Sequence, residues 1–122
     1  MNALSRSLVT IVVAASSMTH SASGEDWGVV IVLVEAHAVE GRVGDVIAGF
    51  KTSQAACKTW DGCISFEITQ DCEDANHITI VERWESVAQH KTEVEKVVAS
   101  ENFQAFREML EADLAFRYVI PL

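Results

Sequence analysis

Cations are scarce in this chain of 122 residues: nine Lys and Arg stand against eighteen Asp and Glu, giving a formal net charge of −9 and a pI near 4.7. A phosphate backbone or an anionic membrane surface is held by clustered cations, so nucleic acid and membrane are disfavoured as partners. Cysteine is equally sparse. Cys57, Cys63 and Cys72 are odd in number and show neither a CxxC nor a Cys/His ligand spacing, so no disulfide framework or zinc site is encoded. They read as free thiols, mostly buried, with a single disulfide as the alternative. His37, His77 and His90 have no paired spacing on one element, and no metal is expected. No apolar run is long enough to cross a bilayer, and neither an internal repeat nor a low-complexity linker occurs.

What is present is enough apolar sequence, 49%, for one core and one domain. Residues 1–23 stand apart as an export signal or an N-terminal extension. Arg6 is followed by the apolar stretch Leu8 to Ala15, and Val13-Ala14-Ala15 or Ser21-Ala22-Ser23 offers small residues for cleavage. Export would place the protein in the periplasm or outside the cell; if Met18 is the true start, it is cytoplasmic. The domain is then residues 24–122. Its net charge is −10, because Arg6 is the one charged residue removed from a total of −9.

Gly28 to Ala36 is β-branched and apolar on both faces, the pattern of a strand covered on both sides. Arg42 to Thr59 carries Val43, Val46, Ile47, Phe50 and Cys57 at helical spacing, although Gly44 and Gly49 weaken it by about 1 kcal/mol each relative to Ala. Trp60-Asp61-Gly62 makes a turn. A second strand, Cys63 to Thr69, sets Ile64, Phe66 and Ile68 against Cys63, Ser65, Glu67 and Thr69. After a polar hairpin loop at Asp71 to Asn76, a third strand puts Ile78, Ile80, Glu82 and Trp84 on one face, with His77, Thr79, Val81 and Arg83 on the other. Ser86 and Gln89 are spaced as a capping box for a helix bearing Val87, His90, Val94, Val97 and Val98. Ser100 would cap a further helix with Phe103, Phe106, Leu110 and Leu114. A last strand alternates Phe116, Tyr118 and Ile120 before Pro121.

The resulting order, βαββα(α)β, is that of a ferredoxin-like α+β fold with an antiparallel sheet and helices on one face. The other apolar face then needs a cover, and a second copy packed sheet against sheet supplies it.

Val34-Glu35-Ala36, Glu40-Gly41-Arg42, Asp61-Gly62-Cys63 with Phe66-Glu67, the run Asn76 to Ser86, and Ser100 to Phe106 together resemble the antibiotic biosynthesis monooxygenase (ABM) domain family over Val29 to Leu122. The resemblance implies a homodimeric α+β barrel of ferredoxin-like subunits. It also implies activities that range over cofactor-independent oxygenation of quinols and phenols, haem degradation and sugar-phosphate isomerisation. Between Trp84 and Phe103 the chain is about one helical turn, roughly four residues, longer than the family's common spacing. The haem-degrading branch is disfavoured: the position of its histidine ligand is Arg107, and the first strand lacks the partner asparagine.

The expected activity is therefore a cofactor-independent monooxygenase acting on a small aromatic or quinol-type molecule. The alternatives are a non-catalytic binding or stress-associated protein of the same fold, or a small-molecule isomerase. Such an oxygenase needs a base and an apolar, water-poor pocket. His90, interrupting the apolar stripe of its helix, is the candidate base, with core packing as its competing role. Trp84, His37, Phe66, Phe50, Phe103 and Phe106 are candidates to line the substrate pocket, where Trp84 could stack on an aromatic ring, and plain core packing is the competing role of each phenylalanine. Solvent exposure is the plainer reading for His37, and a surface position for His77. Glu82, a carboxylate between isoleucines and an indole, is expected to pair with Arg117 or Arg107.

Overall fold

The computed structural model describes residues 26–122; the expected signal or extension at residues 1–23 lies outside them. Four strands, β1 (Val30–His37), β2 (Cys63–Gln70), β3 (His77–Trp84) and β4 (Ala115–Val119), form one antiparallel sheet in the order β2-β3-β1-β4. Helix α1 (Val43–Ala56) connects β1 to β2, and helices α2 (Val87–Ala99) and α3 (Glu101–Arg107) connect β3 to β4. This is the ferredoxin-like α+β topology expected from the order of elements.

The two central strands fix the core. β1 pairs with β3 from Val30 opposite Trp84 to His37 opposite His77. On the helix-facing side Val30, Val32, Val34 and Ala36 therefore lie beside Trp84, Glu82, Ile80 and Ile78, all of them buried. Val46 and Phe50 of α1, Val87 of α2, and Leu110 and Leu114 close this layer from above. The opposite face carries Ile31, Leu33, Val81 and Val119, which are only partly buried.

The β2 edge departs from simple alternation. The β2–β3 register shifts between Cys63 and Ser65, so that Cys63 faces Trp84, Phe66 faces Glu82, and Ile64 is the extra residue. A bulge of this kind reverses the side-chain phase on one side of itself. Ile64 is consequently turned out to solvent, 50% exposed, rather than sharing the face of Phe66 and Ile68. Cys63 turns inward instead. There it is bonded to Cys57, which lies in the 3₁₀ turn Cys57–Thr59 that follows α1. The cysteines are thus one disulfide and one exposed thiol, Cys72, instead of three thiols; sequence spacing alone could not reveal a bulge that brings Cys63 round.

Gly62 ends the turn between the two cysteines with a φ of +92°, a left-handed conformation that favours glycine, and the Gln89 side chain packs where a Cβ would stand. The cap of α2 is half of the expected box. Ser86 Oγ accepts from the Gln89 backbone N–H at 3.2 Å, but the Gln89 amide accepts from the Ser86 hydroxyl and donates to Asp61 Oδ2 at 3.2 Å, tying α2 to the Gly62 turn. At the α2–α3 junction the Ser100 hydroxyl donates back to Val97 O at 2.7 Å and does not cap α3. Gly49 of α1 lies against Phe106 so closely that an added Cβ would stand 2.8 Å from the ring.

Because the disulfide closes a loop of sequence separation 6, chain-entropy arguments assign it about 2 kcal/mol. Thiol labelling of the denatured domain should find one reactive cysteine before reduction and three after it. Replacing Cys57 and Cys63 together by Ser should lower the urea-derived unfolding free energy by about 2 kcal/mol.

Candidate functional site

The end of β3 places three polar groups in the core. Glu82, Trp84 and His90 are 6%, 1% and 2% exposed. The two strand residues share a face because they are two apart, and His90 meets them from the first turn of α2, one turn after the Ser86 cap. Trp84 Nε1 donates to Glu82 Oε1 at 2.7 Å. His90 Nε2 stands 3.7 Å from the same oxygen, and its Nδ1 lies 2.9 Å from the Tyr118 hydroxyl. The Trp84, Phe116 and Tyr118 rings meet His90 edge-on.

Burial acts in opposite directions on the two titrating groups. It raises Glu82 to a pKa of about 7, the Trp84 hydrogen bond only partly opposing it. It lowers His90 to about 3, assisted by the nearby charge of Lys91. The 3.7 Å contact between them satisfies an ion-pair distance, yet a neutral imidazole makes no ion pair, and the separation exceeds that of a hydrogen bond. Tyr118 is raised above its ordinary range, first by burial and then by Glu82, so it keeps its proton and hydrogen-bonds His90 Nδ1, the direction of that bond following the imidazole tautomer. In the tautomer in which Tyr118 donates, the imidazole proton stands on Nε2, the nitrogen nearer Glu82.

Glu82, Trp84 and His90 form the floor of a cavity of about 70 Å³ between sheet and helices, several times the roughly 10–15 Å³ that one water needs by the same measure. Phe50, Trp60, Phe66, Phe103 and Phe116 supply its aromatic wall, and Val94, Val97 and Val98 its α2 side. Trp60, held in the disulfide-flanked turn, lies nearly parallel to Trp84 at a centroid separation of 6.1 Å.

Of the residues proposed from sequence, His90, Trp84, Phe50 and Phe66 meet at this cavity. Phe106 does not line it: its ring is packed edge-on against Phe50 from behind. His37 is also elsewhere. It pairs with His77 at the far end of β1, roughly 23 Å of strand from Trp84, and stacks on the His77 ring at 4.2 Å. His77 is only half exposed there, its Nε2 being 2.6 Å from Glu35 Oε1. Glu82 has neither expected arginine partner. Arg107 donates instead to Asp113 Oδ1 at 2.6 Å and to Leu110 O at 3.0 Å, and Arg117 is on the other face of the sheet. Among the described residues, no donor reaches Glu82 Oε2. Phe103, also expected from sequence to line a cavity, does so, whereas Trp60 and Glu93 line it without a sequence signal; Trp60 sits in a turn, where no periodicity marks an inward side chain.

Among the described residues no three His, Cys, Asp or Glu side chains gather as a metal site, and no helix is long and apolar enough to cross a membrane.

An antiparallel sheet with helices on one side, enclosing a cavity with a buried carboxylate, places the protein among the ferredoxin-like α+β folds. The sequence pattern described as antibiotic biosynthesis monooxygenase matches residues 29–109, and the chain belongs to that family. Solved structures share the fold. A candidate antibiotic biosynthesis monooxygenase of Chloroflexus aurantiacus J-10-fl is 23% identical, with a TM-score of 0.63 over 77% of this chain and 93% of its own. Its counterpart from Bordetella bronchiseptica is 20% identical, with a TM-score of 0.65 over 78% and 98%. A conserved protein from Methanosarcina mazei Go1 is 16% identical, with a TM-score of 0.64 over 78% and 94%. No curated protein is significantly similar to the chain.

The Glu82 carboxyl titrates higher in the folded than in the unfolded chain, so its contribution to stability is complete below pH 4.5 and is lost as the pH rises through about 7. Glu82→Gln removes that dependence. Relative to the native protein the variant should gain about 3 kcal/mol of unfolding free energy between pH 4.5 and pH 8, measured by urea denaturation across the range.

Proposed function

We propose that the protein is a cofactor-independent monooxygenase that oxidises a small quinol or related phenol in the cavity above Glu82. The observation that carries this reading is the Glu82 carboxylate: buried, poised to titrate near neutrality, with one oxygen held by Trp84 and the side chain lining an aromatic-walled cavity. A base whose pKa matches the working pH is best suited to take a phenolic proton.

His90 enters this scheme differently from its expected role as base. With Nδ1 engaged by Tyr118 and the proton on Nε2, it is a neutral hydrogen-bond donor. It steadies the oxygen from which Glu82 withdraws the proton. The substrate anion then gives one electron to dioxygen, the two radicals combine at a ring carbon, and the peroxide loses water. A quinol and one dioxygen thus give a hydroxyquinone and one water. Every electron that oxygen accepts comes from the substrate, and the protein supplies base, donor and a dry pocket.

A second copy, laid sheet against sheet over Ile31, Leu33, Val81 and Val119, completes the barrel in this reading. Light scattering of the purified domain at micromolar concentration should give twice the chain mass; a monomer would refute the barrel.

Aerobic incubation with a dihydroxynaphthalene should show protein-dependent oxygen uptake above the autoxidation blank. Glu82→Gln should lower the turnover rate by about a hundredfold or more, whereas His90→Gln, which retains an N–H donor, should lower it less. The absence of uptake over a panel of quinols, with ligand-dependent melting retained, would replace the oxygenase by a binding protein.

A further inference from the structure

The cavity has an uneven charge. Among the described residues that line it, two, Glu82 on the floor and Glu93 on the α2 side, are carboxylic, and none is Lys or Arg. Glu93 is largely buried and keeps one oxygen, Oε2, 3.3 Å from Lys96 Nζ, whose own side chain is 67% exposed. The buried Lys91 lies over the Tyr118 ring at 6.0 Å and does not line the cavity. His90 is uncharged, and Glu82 Oε2, in a side chain 6% exposed, has no donor among the described residues.

A phenolate formed against Glu82 would therefore meet no Lys or Arg among the described lining residues, Lys91 and Lys96 acting only from behind His90 and Glu93, and a carboxylate brought in by the ligand would meet two acidic groups in an apolar surround. A ligand that carries its own cation removes both difficulties. The ammonium can bind at Glu93, and the faces of Trp60 and Trp84 favour a positive charge beside them.

We infer that the cavity selects a single-ring phenolic amine, its hydroxyl at Glu82 and His90 and its ammonium at Glu93 against the indole faces. The inference rests on the oxygenase reading for the fate of the hydroxyl, while the charge preference stands on binding alone. It sets the substrate class apart from the acidic phenols: the amine and the phenolate compensate one another inside the pocket, so deprotonation leaves the bound molecule neutral overall.

Isothermal titration calorimetry of the full chain at pH 7 and 0.15 M salt tests it with three probes of one scaffold: tyramine, 4-ethylphenol and 4-hydroxyphenylacetate. Tyramine should bind about tenfold more tightly than 4-ethylphenol, with 4-hydroxyphenylacetate weakest. Glu93→Gln should bring tyramine to within about threefold of 4-ethylphenol and leave 4-ethylphenol unchanged. Glu73→Gln, an exposed charge in the β2–β3 loop at the far end of the sheet, should leave the preference intact. Equal affinities, tightest binding of the acid, no binding of any probe, or equal losses in the two variants would overturn the inference, the last by showing that the protein's overall negative charge is responsible. The comparison among the three probes needs no variant, so it decides even if Glu93→Gln does not fold. Oxygen uptake measured on the same samples separates the two readings. A bound amine with no uptake on it or on the quinol panel refutes the oxygenase and leaves the charge preference, while uptake on a neutral quinol with no preference for the amine does the reverse.

Discussion

The hydrogen bond from Trp84 Nε1 to Glu82 Oε1 is the constraint around which the rest of the molecule is arranged. A carboxylate in a core layer of valine and isoleucine is costly unless something answers it. Here the answer is a single indole donor two residues away on the same strand face. That bond fixes both side chains, sets one wall of the cavity, and leaves the second carboxylate oxygen without a donor among the described residues. His90 and Tyr118 then fit behind it as a hydrogen-bonded pair kept neutral by the same burial that raises Glu82. Buried Arg107 is served locally, by Asp113 and Leu110 O.

The fold was largely legible because its signals are periodic. The alternation of Ile78, Ile80, Glu82 and Trp84 predicts the buried face of β3 correctly, and the spacing of Val46 and Phe50 does so for α1. Ser86 marks the start of α2 in sequence and in structure. The features that escaped are those where periodicity fails. A bulge at Ile64 exchanges the faces on either side of itself, and with it goes the pairing of Cys57 with Cys63. Ser100 has the composition of a cap but turns its hydroxyl back to the preceding helix.

The site was legible in part, for the same reason. His90 and Trp84 were visible as exceptions within regular patterns. Their relation to one another depends on how α2 crosses the sheet, which no local spacing specifies. Glu82 is conspicuous in sequence as a buried acid, for which an arginine is the ordinary partner; the structure answers it with an indole N–H. His37 illustrates the opposite error. It ends a central strand, yet strand ends occur at both edges of a sheet, and the antiparallel register sends it to the edge away from Trp84.

Gly49 spends helix propensity to let the Phe106 ring lie directly on the α1 backbone. The ring in turn braces Phe50, whose other side faces the cavity. The missing methyl group therefore acts as a spacer of zero thickness: it sets how far the helical layer can settle toward the sheet, and so the depth of the chamber above Glu82. A chain that regained a better helix former at this position would have to shift that aromatic brace, and the first dimension to change would be the height of the pocket rather than the identity of any group that lines it.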